Sequence, residues 1–176
     1  MNTNIRDMEY AVRGRLVIRA SEIQAELKKN PDKFPFDEII FSNIGNPQSL
    51  QQKPLSFPSQ VMACLNCPEL LNNSAVGFPE DVKARAKQLL AHIPGGIGAY
   101  SNSQGIPFVR QTVADFITKR DGFPASADNI FLTDGASPGI KFVLRMLTTC
   151  SKDTFLLPNP QYPLYSASTA AAGATS

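Results

Sequence analysis

The sequence predicts an α/β protein, and three observations carry that expectation. The last third alternates: Asn129–Thr133 is a short apolar run, Asp134-Gly135-Ala136 is turn chemistry, and Ser137-Pro138 opens a helix. A second apolar run, Thr154–Leu157, follows. Strand, helix, strand is the signature of a sheet with covering helices. Upstream, apolar residues recur at helical spacing between Pro and Gly punctuation. Finally, 176 residues that are 43% hydrophobic and 18% charged suffice for one domain's core and argue against disorder.

Residues 8–29 read as a charged amphipathic helix, with Val12, Leu16, Ile23 and Leu27 on one stripe and Arg13, Arg15, Arg19, Glu22 and Glu26 between them. It serves equally as a surface helix or as an arm lying on a partner subunit. Ile39-Ile40-Phe41 is long enough for a buried strand and stops at Asn43-Ile44-Gly45-Asn46-Pro47. Residues 61–73 suit a helix. Pro79 opens a better one at its first position, where the missing N–H costs nothing, with Glu80 and Asp81 favouring the helix dipole. A further helix over 106–121 places Val109, Val113, Phe116 and Ile117 on one face and ends at Gly122. Ser137 is expected to cap the next, whose buried face holds Ile140, Val143, Leu144 and Leu147. Residues 166–176 can start another.

Composition excludes several classes. The net charge of +2 comes from dispersed charges, with no basic cluster for nucleic acid or a membrane surface. No apolar run reaches the 18 or so residues of a membrane span. Met1–Tyr10 has no apolar signal-peptide core. The three cysteines read as free thiols in a reducing compartment, with the cytoplasm as the expected location and a mitochondrion or peroxisome as the alternative for a longer form. Cys64-Leu65-Asn66-Cys67 lacks a zinc ligand set and the helix start of a redox pair, so no metal is expected. His92, the single histidine, has no nucleophile or acid placed as its partner and reads as structural.

Three stretches carry candidate chemistry. The strand-to-helix turn Asp134–Pro138 suits an anion, because the first N–H groups of a helix lack internal partners and face positive potential. An ordinary capped helix fits the same residues. The Gly-rich stretch 95–105 is neither a P-loop nor a dinucleotide fingerprint, but its Tyr100 can present a phenol to a phosphate oxygen or pack inside. In Pro160-Gln161-Tyr162-Pro163 two prolines hold an aromatic after a strand, where a cofactor ring can stack; a structural loop fits the same residues.

Taken together, Tyr10-Ala11-Val12-Arg13-Gly14, Asn43–Gln48, Gly98–Ser101, Phe131–Ser137 and Pro160–Tyr165 resemble the alanine aminotransferase family of fold-type I pyridoxal-phosphate (PLP) enzymes, in order and spacing, over roughly residues 8–169. The resemblance implies the N-terminal part of a fold-type I transferase. A helical arm and the start of the small domain would occupy 1–50, and the first part of a three-layer αβα large domain, incomplete, 51–176. It implies that the Ala136 and Ser137 N–H groups and the Ser137 hydroxyl hold the PLP phosphate. Tyr162 would stack on the pyridine ring, Tyr100 would reach the phosphate of the neighbouring subunit, and Gly45 would lie beside the substrate carboxylate.

The implied activity is transfer of an amino group between L-alanine and 2-oxoglutarate in a homodimer, with amino-acid and 2-oxo-acid substrates; glutamate–glyoxylate transamination is the alternative. The Schiff-base lysine, the acid facing the pyridine nitrogen and the carboxylate-clamping arginine of the family have no counterpart here. The nine lysines sit elsewhere, and the tail Ala170–Ser176 drifts from the family pattern. The expectation is therefore a truncated form, inactive alone. The reading from another class is a non-catalytic fragment or a subunit that docks through the 8–29 arm.

Overall fold

The computed structural model describes residues 1–10, 12 and 14–176. Ala11 and Arg13, which the sequence assigns to the first amphipathic helix, lie outside the described residues. Seven α-helices are described: α1 (Thr3–Asp7), α2 (Arg15–Lys29), α3 (Ser56–Asn66), α4 (Glu80–Ala91), α5 (Pro107–Asp121), α6 (Ala136–Leu147) and α7 (Leu164–Ala172). The chain forms two compact units, Met1–Pro47 with Asp134–Ser176, and Gln48–Thr133.

In the second unit α3 packs on α4. Val61, Cys64 and Leu65 bury against Val82 and Ala86, with Phe78, Leu89 and Leu90 around them. Full burial of a side chain like Val82 contributes roughly 1.5–3 kcal/mol. The helix expected over 61–73 instead starts at Ser56 and ends at Asn66, because Pro68 cannot continue it and begins a separate 3₁₀ turn, Pro68–Leu71. Helix α4 begins one residue after Pro79, with Glu80 and Asp81 in its first turn. Helix α5 starts at Pro107 and closes on Gly122 in the left-handed conformation.

The buried positions of α5 are Arg110 and Ala114 rather than the predicted apolar stripe, of which Phe116 is exposed. Arg110 is only 7% exposed. Its Nε donates to the Gly105 carbonyl at 3.1 Å and its Nη1 to the Ala127 carbonyl at 2.7 Å. A buried guanidinium must satisfy its donors, and here loop carbonyls do so, tying the two loops that flank α5. Gly105 has a φ of +109°, and a Cβ there would meet Leu132 Cδ1 at 2.5 Å.

In the first unit α1 packs on α7 and α7 on α6. Leu144, Leu164, Ala167 and Thr169 are buried. The predicted buried face of α6 is only partly covered: Leu144 is buried, whereas Val143 and Leu147 are exposed. Helix α2 begins at Arg15, not near residue 8, with Gly14 as its N-cap. Arg19 pairs with Glu22 at 2.9 Å, and Lys33 pairs with Glu26, whose carboxyl both Lys33 and Arg19 hold below its ordinary range.

None of the three predicted strands forms a ladder. Residues 39–41 and 130–132 are irregular, and in 154–157 only Thr154 bridges, in parallel, to Thr175. The bridge is made by Phe155 N–H to Thr175 O and Thr175 N–H to Asp153 O, both at 3.0 Å. From 130–132, Leu132 N–H reaches the Gln104 carbonyl at 2.8 Å. An apolar extended segment becomes a strand only where a second segment offers a row of backbone partners. Residues 130–132 and 154–157 meet only isolated partners.

Gly105→Ala is expected to lower the unfolding free energy by about 2 kcal/mol, combining positive-φ strain with the Leu132 clash. Gly45 has nothing within 4 Å of its would-be Cβ. Gly45→Ala should therefore stay within about 0.5 kcal/mol of wild type. Denaturant titration of both variants checks this; equal losses contradict the packing described.

Candidate phosphate and cofactor site

The chain enters α6 through Gly135, with φ 95° and ψ 174°. Ala136 is thus the first helical residue, Ser137 the second and Pro138 the third. The sequence expectation that Ser137 caps the helix is corrected: the cap is Gly135, and no side chain bonds to the helix start. Gly135 can adopt a backbone that an L side chain strains, so the helix begins two residues early. The consequence is chemical. The Ala136 and Ser137 N–H groups lie among the first four, which have no intrahelical acceptor, and Pro138 contributes no N–H. The Ser137 hydroxyl is not committed to capping.

Ser137, Lys141 and Arg145 recur one turn apart and together line a groove of about 670 Å³. Tyr10, Met8 and Asn4 from the N-terminal arm line it too, as do Leu164 and Ser168 of α7, and among the described residues no acidic side chain does. Two cations four residues apart on one helix face repel each other, and an anion between them relieves that cost. Lys141 and Arg145 were not assigned a role from sequence. Their i+4 and i+8 spacing from Ser137 is the signal that points to them.

Tyr162 belongs to the same unit. Its hydroxyl lies 2.7 Å from that of Tyr10, and its ring meets the edges of Tyr10 and Tyr165 at centroid distances of 6.3 and 6.4 Å. The ring remains 48% exposed. Tyr10 therefore borders the Ser137 groove and touches Tyr162, linking two predicted site elements. Sequence reasoning missed it because 152 positions separate the two phenols. Gly45 lies in the 42–47 loop, where Asn43 Nδ2 donates to the Val12 carbonyl at 3.2 Å. It does not line the groove. Tyr100 lies in the other unit and is fully exposed.

The other candidates are structural. His92 stacks on Phe108 with centroids 4.0 Å apart and planes 7° from parallel. Cys64 is buried, while Cys67 donates to the Glu69 carboxylate at 3.1 Å, which pushes the thiol up from its ordinary value. Among the described residues no group of three His, Cys, Asp or Glu could hold a metal ion, and no helix is long and apolar enough to cross a membrane.

A phosphorylated aromatic cofactor fits this donor set: uncapped N–H groups, a hydroxyl and a lysine for the phosphate, and a half-exposed ring, Tyr162, against the groove-lining Tyr10. The chain's course follows that of solved aminotransferases. It superposes on an aminotransferase from Escherichia coli with a TM-score of 0.64 at 18% identity, covering 99% of this chain and 34% of that one. Alanine aminotransferase from Pyrococcus furiosus gives 0.63, also at 18% identity, with 99% and 35% covered. The fold is therefore the N-terminal part of a fold-type I aminotransferase.

The Aminotransferase class I and II profile matches residues 64–176, and the chain belongs to that family. Among curated proteins it is 53% identical to an inactive alanine aminotransferase of Saccharomyces cerevisiae, over 96% of this chain and 34% of that protein. It is 50% identical to alanine aminotransferase 2 of Panicum miliaceum and to glutamate–glyoxylate aminotransferase 2 of Arabidopsis thaliana. Each match covers 99% of this chain, and 37% and 35% of those proteins. The chain thus spans about a third of the length of the relatives it matches.

The loop that leads to Tyr162 is organised by one carboxylate. Asp153 Oδ2 accepts from Thr149 N at 2.6 Å, Cys150 N at 2.9 Å and Thr149 Oγ1 at 2.9 Å. The two backbone donors and then the hydroxyl hold its carboxyl below the ordinary range. The folded value being the lower one, this stabilisation is complete above the unfolded-state value of about 3.9 and is lost as pH falls below it. Stability measured between about pH 5 and pH 2 should fall less steeply in Asp153→Asn than in wild type. Parallel profiles contradict the role.

Proposed function

We propose that this chain supplies the phosphate-binding portion of a PLP site in an alanine aminotransferase. The observation that carries the reading is the uncapped α6 start, whose Ser137 shares a groove with Lys141 and Arg145. Half of the residues are shared with proteins named alanine or glutamate–glyoxylate aminotransferases. When bound, PLP supplies an electron sink that lets an amino group pass between carbon skeletons.

The chain's own residues hold and orient. The Ala136 and Ser137 N–H groups and the Ser137 hydroxyl donate to the phosphate. Lys141 adds charge one turn further on, and Tyr162 offers its ring to the pyridine. Gly45, with no neighbour near its would-be Cβ, lets backbone approach the substrate carboxylate. The substrates are L-alanine and 2-oxoglutarate, with glutamate and glyoxylate as the alternative pair. In domain terms residues 1–50 are the arm and the start of the small domain, and 51–176 the first part of the cofactor-binding large domain. The setting is the cytoplasm, or a mitochondrion as in several relatives' names.

A second reading, that the chain acts without catalysis, has its own support. One relative is named inactive, and the one lysine that lines the groove among the described residues, Lys141, lies on the phosphate helix itself. One experiment addresses both. The 176 residues alone should bind PLP at least tenfold more tightly than pyridoxal, which lacks the phosphate, and Ser137→Ala should narrow that gap. They should form no pyruvate from alanine and 2-oxoglutarate above a free-PLP control. Equal affinity for the two ligands contradicts the phosphate site; pyruvate formation contradicts the non-catalytic reading.

The assembly is a homodimer in which Tyr100 donates to the neighbour's phosphate. Its full exposure on a Gly-rich loop is the supporting observation. A charge-assisted hydrogen bond of roughly 1.5–3 kcal/mol makes Tyr100→Phe loosen PLP about ten- to a hundredfold in the dimer. The same substitution should have no effect in a monomeric population separated by size. An equal effect in both contradicts a shared site.

A further inference from the structure

We propose that Tyr10, on the N-terminal arm, is a positioning residue for the cofactor ring. It fixes the plane of Tyr162 through a phenol–phenol hydrogen bond and so couples arm docking to cofactor retention. The inference rests on the reading of Tyr162 as the ring partner. Three observations carry it. The two hydroxyls lie 2.7 Å apart, within the usual range for O–H···O bonds. The Tyr162 ring is held by two edge contacts, from Tyr10 at an interplanar angle of 68° and from Tyr165 at 88°. Two steep contacts and one polar tether leave a ring little freedom to rotate, while Pro160 and Pro163 restrict its backbone. Finally, Tyr10 lines the groove that contains Ser137 and Lys141. One arm side chain thus borders the phosphate donors and tethers the ring that faces the pyridine.

Packing and positioning separate experimentally. A Tyr10 that only packs tolerates Phe, since ring and edge contact remain. A Tyr10 that positions does not, since the tether is lost. The test uses the 176-residue chain with ring-¹³C tyrosine, titrated with PLP as wild type, Tyr10→Phe, Tyr162→Phe and the double variant. A neutral hydrogen bond of ordinary strength corresponds to about a three- to tenfold effect. Tyr10→Phe should shift the Tyr162 ring resonances and weaken PLP binding by about that factor. The double variant should bind no more weakly than Tyr162→Phe alone.

Unchanged Tyr162 resonances, unchanged PLP affinity in Tyr10→Phe, or losses that multiply in the double variant would each overturn the positioning role. Tyr162→Ala distinguishes this from failure of the underlying reading. If it weakens PLP while Tyr10→Phe is silent, only the positioning role falls. If it leaves PLP affinity unchanged, or the chain does not bind PLP, the ring-partner reading falls and the inference with it.

Discussion

Gly135 turns the chain into α6 with a positive φ and no side chain. A Ser, Thr, Asn or Asp at this point would ordinarily fold back and satisfy one of the helix's first N–H groups. Gly135 cannot, so those donors stay directed outward and the helix dipole is not offset by a local acceptor. The same entry sets the register of α6. With Ala136 first, Ser137 falls in line with Lys141 and Arg145 along the groove. Starting the helix at Pro138 would make Ser137 its cap and commit the hydroxyl to the helix start.

The first unit brings together segments far apart in sequence. The arm supplies Tyr10, α6 the proposed phosphate donors and the Pro-flanked loop Tyr162. What joins them is modest in energy: edge contacts between rings, one hydrogen bond between phenols and the packing of α1 and α6 on α7. In the second unit the buried guanidinium of Arg110 does comparable work, tying two loops through their carbonyls. Both units use polar contacts where the apolar core is thin.

Much of this was legible in the sequence where the signal was local. Pro79, Glu80 and Asp81 mark the start of α4, and Pro107 and Gly122 bracket α5, because capping and dipole preferences act within a turn. The turn at 134–138 was legible as the entry to a helix for the same reason. Its cap was misplaced, since Ser-Pro mimics a cap and first position while the conformation of Gly135 decides the start. Strands at 39–41, 130–132 and 154–157 were not decidable, because a ladder depends on a remote partner. Val143 and Leu147 show that periodicity marks an apolar face without saying whether a neighbour covers it. Tyr10 lay in a recognised stretch, but its partner is 152 residues away, beyond the reach of spacing arguments.

The central claim is that the start of α6 is built to hold a dianionic phosphate. Phosphorus NMR of PLP with the 176-residue chain in excess tests it most directly. A phosphate monoester dianion in water takes up a proton near pH 6. Held by helix N–H groups, the Ser137 hydroxyl and Lys141, it should remain a dianion, with a resonance that does not move between about pH 7.5 and pH 5.5. A resonance that titrates like that of free PLP would contradict the account.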